Sequence, residues 1–181
     1  MIKHEEQRVG VFVDVSNMYH SAKNLYGSRV NFKNILTEAV GPRKLIRSIA
    51  YVVQSNSAEE EGFFEALAKS GFEVKIKDLQ VFAGGMKKGD WDIGLAMDSI
   101  KLADKLDSII LVTGDGDYVP LVWYLKENKG CQVEVVAFGE TTSQRLIESA
   151  DGFMDISKNV GNFLMEQVQH PNKKKKYKEN N

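Results

Sequence analysis

One cysteine, three prolines and no apolar run of membrane-spanning length occur in these 181 residues. The lone Cys131 excludes an internal disulfide and any cysteine-rich metal site, which favours a reducing compartment such as the cytoplasm. It heads the apolar run Val133–Ala137, so packing is its expected role. Neither a basic-then-apolar leader nor a long hydrophobic stretch is visible, so a soluble chain is expected. No Gly-x-x-x-x-Gly-Lys-[Ser/Thr] loop occurs, which excludes a P-loop nucleotide site. No repeat or Pro/Gly-rich linker divides the chain, and a single domain over residues 1–168 is expected.

A strong excess of one charge is also missing, since the net charge is −1. The distribution is uneven. Residues 171–181 hold five Lys and one Glu, or +4, leaving 19 basic against 24 acidic residues, or −5, for the remainder. The segment 169–181 therefore reads as a basic tail, either a phosphate-binding arm or a solubilising end. An acidic body argues against strong nucleic-acid binding.

What is present is a run of apolar segments that end in acid. Ile109-Ile110-Leu111-Val112-Thr113-Gly114-Asp115-Gly116-Asp117 has the continuous Ile/Leu/Val of a parallel strand buried on both faces, and Val11-Phe12-Val13-Asp14 repeats the pattern. Five strands are predicted: Val9–Asp14, Arg47–Val53, Glu73–Lys77, Ser108–Thr113 and Gln132–Ala137. Helical patterns fall at Ser16–Tyr26, Phe32–Ala39, Ala58–Ser70, Trp91–Leu106, Tyr118–Asn128 and Thr142–Ser149, with a further segment at Asn159–Val168. Pro120 and Gly130 mark the start and end of one of these helices. Strands alternating with helices predict a mainly parallel sheet of five or six strands, covered on both faces, with every carboxyl end on one rim.

Asp14, Asp115 and Asp117 then lie on that rim. Asp92 reaches it by another route: in a helix beginning near Trp91 it shares the sheet-facing stripe with Ala96, Ser99 and Ala103. By the same arithmetic Asp90 points about 160° away, into solvent. Asp98 lies about 120° round and roughly 9 Å along the axis, so it is expected behind the carboxylates rather than among them. Four converging carboxylates would retain protons unless a cation compensates them, and Mg²⁺ or Mn²⁺ suits oxygen ligands. Each residue also has a structural reading. Asp117 suits a helix cap, Asp115 a glycine turn, Asp14 an ordinary strand end and Ser16 the N-cap of the first helix. Asn17 either faces solvent or orients water or substrate beside Asp14.

Assembled in order, these motifs resemble the NYN domain family, in its LabA/DUF88 branch of the PIN-like nuclease superfamily. The residues that carry the resemblance are Val11-Phe12-Val13-Asp14-Val15-Ser16-Asn17, Lys88-Gly89-Asp90-Trp91-Asp92-Ile93-Gly94-Leu95-Ala96-Met97-Asp98 and Leu111-Val112-Thr113-Gly114-Asp115-Gly116-Asp117-Tyr118-Val119-Pro120-Leu121. The later Leu146-Ile147-Glu148-Ser149-Ala150-Asp151-Gly152-Phe153 fits the same pattern, and the match runs from about Arg8 to Ile156. The resemblance implies a three-layer α/β/α PIN-like fold and a metal-dependent ribonuclease that leaves 3′-hydroxyl and 5′-phosphate ends. It puts Asp14, Asp92, Asp115 and Asp117 at the acidic cluster, Asn17 and Asp98 at recurrent polar positions, and Thr113 where serine is frequent. Asn17 joins the four aspartates as a catalytic candidate; Ser16, Thr113 and Asp98 are expected to support them.

For substrate, Lys87 and Lys88 beside Gly84-Gly85 offer a loop able to approach a phosphate backbone, and Tyr19 either stacks on a base of single-stranded RNA or packs on the rim. His20 reads as a surface histidine, and Trp91, Trp123 and Tyr124 read as packing. Arg43, Lys44 and Arg47 form a basic cluster at the far end of their strand. A non-catalytic RNA-binding or regulatory module that keeps the acidic pocket is the alternative function. A haloacid-dehalogenase-type phosphatase would need Asp-x-Asp after the first strand, where Asp14-Val15-Ser16 stands. No feature specifies oligomeric state, and a homodimer stays open.

Overall fold

The computed structural model describes residues 3–54, 58–81 and 87–165. Its spine is β1 (Arg8–Asp14), followed by α1 (Val15–Tyr26), α2 (Phe32–Val40) and β2 (Lys44–Gln54). Next come α3 (Ala58–Lys69), β3 (Glu73–Asp78), the short β4 (Gln80–Val81) and β5 (Lys87–Lys88), and α4 (Asp92–Ala103). The second half carries β6 (Ser108–Val112), α5 (Val119–Glu127), β7 (Gln132–Ala137), α6 (Gln144–Ser149), β8 (Gly152–Asp155) and α7 (Val160–Phe163).

Six strands form one sheet in the order β3-β2-β1-β6-β7-β8, and every pairing is parallel. The predicted PIN-like α/β arrangement is thus present, with six strands of the five or six expected. β1 and β6 are central and buried, as their unbroken apolar runs require. Successive side chains point to opposite faces, so each strand feeds two cores. Val9, Val11, Val13, Ile110 and Val112 pack with α1 and α2 on one face. Phe12, Ile109, Leu111, Val133 and Val135 pack with α4 and α5 on the other. No helix among the described residues is long and apolar enough to cross a membrane.

Several boundaries differ from the sequence reading. α1 starts at Val15 because Asp14, not Ser16, is its cap: the Asp14 side chain accepts the Asn17 N–H. The segment expected to open α5 at Tyr118 is a 3₁₀ turn, Gly116–Tyr118, and α5 begins one residue later with Pro120 in its first turn. Gly130 follows that helix with φ +67°, the left-handed conformation that favours glycine. Of the helix expected at 159–168, Val160–Phe163 is helical, and 166–168 lie outside the described residues. β8 and the antiparallel β4–β5 pair were not anticipated.

At the amino end of the sheet the basic cluster is fully engaged. Buried Arg43 forms an ion pair with Glu134 and donates to the Ala39 and Val40 carbonyls, while Ser108 and Lys3 also donate to Glu134. Lys44 pairs with Glu6 and Arg47 with Glu73. The cluster is scaffolding, not an open basic surface.

Candidate functional site

Strand order reverses at β1: the chain first builds β2 and β3 to one side, then β6, β7 and β8 to the other. Ligands of open α/β sheets collect beyond the strand ends at such a switch point. Here Val13 pairs with Val112, so the chain leaves β1 and β6 side by side, Asp14 from one and Thr113-Gly114-Asp115 from the other.

Local bonds hold both exits. Asp14 Oδ1 accepts the Asn17 N–H at 3.0 Å. Asn17 Oδ1 in turn accepts the Gly114 N–H at 2.9 Å, tying α1 to the β6 exit. Buried Thr113 accepts the Asp115 N–H on Oγ1 at 3.2 Å, and Asp115 Oδ1 accepts the Asp117 N–H at 2.9 Å. Gly114 and Gly116 let this turn lie against residues 141–143. A Cβ on Gly114 would sit 3.1 Å from the Thr141 carbonyl oxygen, and one on Gly116 would sit 2.7 Å from Ser143 Oγ.

Asp92 enters as the first residue of α4, where buried Tyr118 donates its hydroxyl to Asp92 Oδ1 at 2.9 Å. Asp14, Asp92 and Asp115 all face one hollow of about 200 Å³, with Ser16, Asn17, His20 and Tyr51 also on its wall. Burial pushes the Asp14 carboxyl up to about 6; the Asn17 N–H opposes that rise, and the charges of Asp92 and Asp115 add to it. Asp92 is also raised, chiefly by burial, against the Tyr118 bond and with help from Asp90, Asp115 and Asp117. Among the described residues no Lys or Arg forms an ion pair with any of the three.

The remaining predicted residues separate from this trio. Asp117 is exposed and does not line the hollow, although its charge acts on Asp92. Asp90 is exposed at the mouth. Asn17 lines the hollow with its carbonyl oxygen engaged by Gly114, and it positions the β6 turn. Asp98 lies behind Tyr51, accepting the Tyr51 hydroxyl at 2.9 Å and a bond from Lys75. Burial pushes the Asp98 carboxyl up, but those two bonds outweigh it and hold the group low. Tyr19 is exposed beside the hollow rather than in it, with the Lys23 ammonium 5.6 Å from its ring centre and His20 against its edge. Lys87 and Lys88 have their backbone in β5, while their side chains, Gly84-Gly85 and the basic tail lie outside the described residues.

Two aromatic expectations need correction. Trp91 does pack, donating Nε1–H to the Val52 carbonyl at 2.9 Å and meeting Tyr51 edge-on. Trp123 and Tyr124 do not; they are 52% and 40% exposed, because α5 turns that side to solvent. Tyr118 and Tyr51 were missed. The only signal for Tyr118 was its place directly after Asp117, whereas Tyr51 sits opposite Asp14 by a register that sequence does not show.

No three His, Cys, Asp or Glu side chains among the described residues are gathered tightly enough to hold a metal ion as they stand. The donor chemistry nonetheless suits a hard divalent cation. Mg²⁺ is usually held by one or two carboxylates, with water and substrate oxygens completing the shell, so a closed protein cage is not required.

Three likenesses give this arrangement its context. Residues 8–157 match the NYN domain. The chain is 24% identical over 172 residues to the low amplitude and bright protein LabA of Synechococcus elongatus, covering 91% of this chain and 90% of that one. It also resembles the crystal structure of a Vibrio parahaemolyticus protein of unknown function, with a TM-score of 0.82 and 32% identity over 91% of this chain and 100% of the other. A domain match across nearly all of the sheet, set beside a rim that offers acid where the strand order reverses, leads to one assignment: the chain belongs to the NYN domain family of the PIN-like nuclease superfamily.

Proposed function

We propose that the protein is a metal-dependent ribonuclease that hydrolyses phosphodiester bonds of single-stranded RNA in the Asp14–Asp92–Asp115 hollow. The observation that carries this reading is the unneutralised acid itself. Asp14, Asp92 and Asp115 share one small cavity with Asp90 at its mouth, no Lys or Arg among the described residues pairs with the three, and burial, then the charges of Asp92 and Asp115, raise the carboxyl of Asp14. A protein gains no stability from such crowding, so its counter-charge is expected from outside.

Asp14, Asp92 and Asp115 would hold Mg²⁺ or Mn²⁺, with Asp117 at the rim. A cation bound there would supply positive charge for the phosphodiester oxygens and would make a nearby water more acidic. The chain's own contribution is orientation. Asn17 and Thr113 fix the two strand exits, and Tyr118 fixes the start of α4. A hollow of about 200 Å³ has room to admit a backbone phosphate. Tyr19 beside the mouth offers a ring for a neighbouring base, and Lys87 and Lys88 offer charge for the backbone.

A second reading has its own support. The carboxylates are not closed around an ion position, which suits a module that binds RNA or a partner without cutting. The deciding experiment is cleavage of end-labelled single-stranded RNA in Mn²⁺, Mg²⁺ or EDTA, comparing wild type with Asp14→Asn and Asp115→Asn. Cation-dependent cutting by wild type alone is expected. Equal cutting by all three proteins would remove the catalytic reading. No cutting by any, with RNA still bound, would favour the binding module.

A further inference from the structure

The three hollow carboxylates are not held alike. Asp14 Oδ1 accepts a backbone N–H three residues on, and Asp115 Oδ1 accepts one two residues on. Both are clamped by their own loops. Asp92 has no such clamp. It opens α4, whose cap residue Trp91 makes no side-chain cap bond, and its Oδ1 is held by a side chain 26 positions away.

We propose that Tyr118 is a positioning residue for cation binding: its hydroxyl engages Asp92 Oδ1 and keeps the other oxygen available to an ion in the hollow. This rests on the metal-dependent reading above. The donor's chemistry suits the task. Asp98, six residues further along the same helix, receives a tyrosine hydroxyl together with the Lys75 ammonium, and that neutralising pair takes it out of use as a ligand. Asp92 receives a tyrosine hydroxyl and no ammonium among the described residues, so it is oriented without being neutralised. The donor is buried: Tyr118 is 3% exposed and belongs to the 3₁₀ turn Gly116–Tyr118, which follows directly on Asp115 and carries Asp117. One hydroxyl therefore links the α4 entry to the β6 exit, the two segments whose acids must act on the same ion. Partners that orient a ligand without touching the metal typically change its affinity 10- to 100-fold.

The test is Mn²⁺ binding, read as the loss of the free-ion electron paramagnetic resonance signal, for wild type, Tyr118→Phe, Asp92→Asn and the double variant, with melting temperatures in EDTA as a check of folding. Tyr118→Phe retains the ring and is expected to weaken Mn²⁺ binding by about 10-fold or more. It is expected to add no further loss in the Asp92→Asn background, since the hydroxyl acts through that carboxylate. A loss below twofold in the single variant would overturn the proposal. So would an equal loss in both backgrounds, because the hydroxyl would then act on the fold and not on Asp92. A wild type that binds no Mn²⁺ overturns the metal reading and this proposal together, whereas a failure confined to Tyr118→Phe leaves the metal reading standing.

Discussion

The two ends of the sheet treat acid in opposite ways. At the amino end, buried Glu134 meets Arg43, Lys3 and Ser108, and its carboxyl is held low against the burial that would raise it. At the carboxyl end, Asp14 is partly buried among other acids, and its carboxyl rises to about 6. Identical chemistry is neutralised internally in one place and left exposed to its like in the other. Scaffold acids bring their counter-ions with them, and acids that serve a ligand wait for theirs. That contrast separates the candidate site from the many other carboxylates of an acidic body.

The largest expected effect lies at the carboxyl end. Asp14→Asn should reduce RNA cleavage on the order of 100-fold or more, while its melting temperature in EDTA stays equal to wild type or rises. A clear fall in EDTA stability would show Asp14 to be scaffold and collapse the distinction. At the amino end, Arg43→Met leaves Glu134 buried without its guanidinium, and urea unfolding should show a loss of about 3–5 kcal/mol, the same with or without Mg²⁺.

The two ends should also oppose each other in their response to pH. Between its ordinary value of 3.8 and about 6, folded Asp14 holds a proton that the unfolded chain has released. Its contribution is therefore fully present below about pH 4 and lost as pH rises through about 6, on the order of 2–3 kcal/mol. Glu134 is lowered on folding, so its contribution is present above its ordinary value of 4.5 and lost as pH falls through its folded value. Urea unfolding from pH 4 to 7 should show a downward component that disappears in Asp14→Asn, and its persistence in that variant would assign it elsewhere. The smallest effect belongs to an exposed pair of the same amino end. Arg47→Ala, which breaks the bond to Glu73, should cost about 0.2–1 kcal/mol by the same unfolding measurement.

Much of this frame was legible in the sequence because burial writes itself into composition. β1 and β6 announce themselves by unbroken Val, Ile and Leu, and β7 falls at its predicted bounds. β8 was invisible for the converse reason. Gly152-Phe153-Met154-Asp155 is half-buried, four residues long and without alternation, and only its pairing with β7 makes it a strand. At the site, helical phase brought Asp92 to the hollow and kept Asp98 behind it. Asp117, expected with the other three, lies exposed in the 3₁₀ turn after β6 and reaches Asp92 only through its charge. The hydroxyls of Tyr51 and Tyr118 depend on strand register and helix docking, which no local pattern encodes.

The strand order has a consequence for synthesis. Asp14, Asp92 and Asp115 arrive from three separate crossovers, and β6, which delivers the last of them, seats itself beside the first strand made. A nascent chain must extend past β6 before the third carboxylate exists, and that carboxylate is in place only when the centre of the sheet is complete. An unfinished or half-folded copy therefore has no assembled hollow, and the chemistry proposed for this rim is withheld until folding has succeeded.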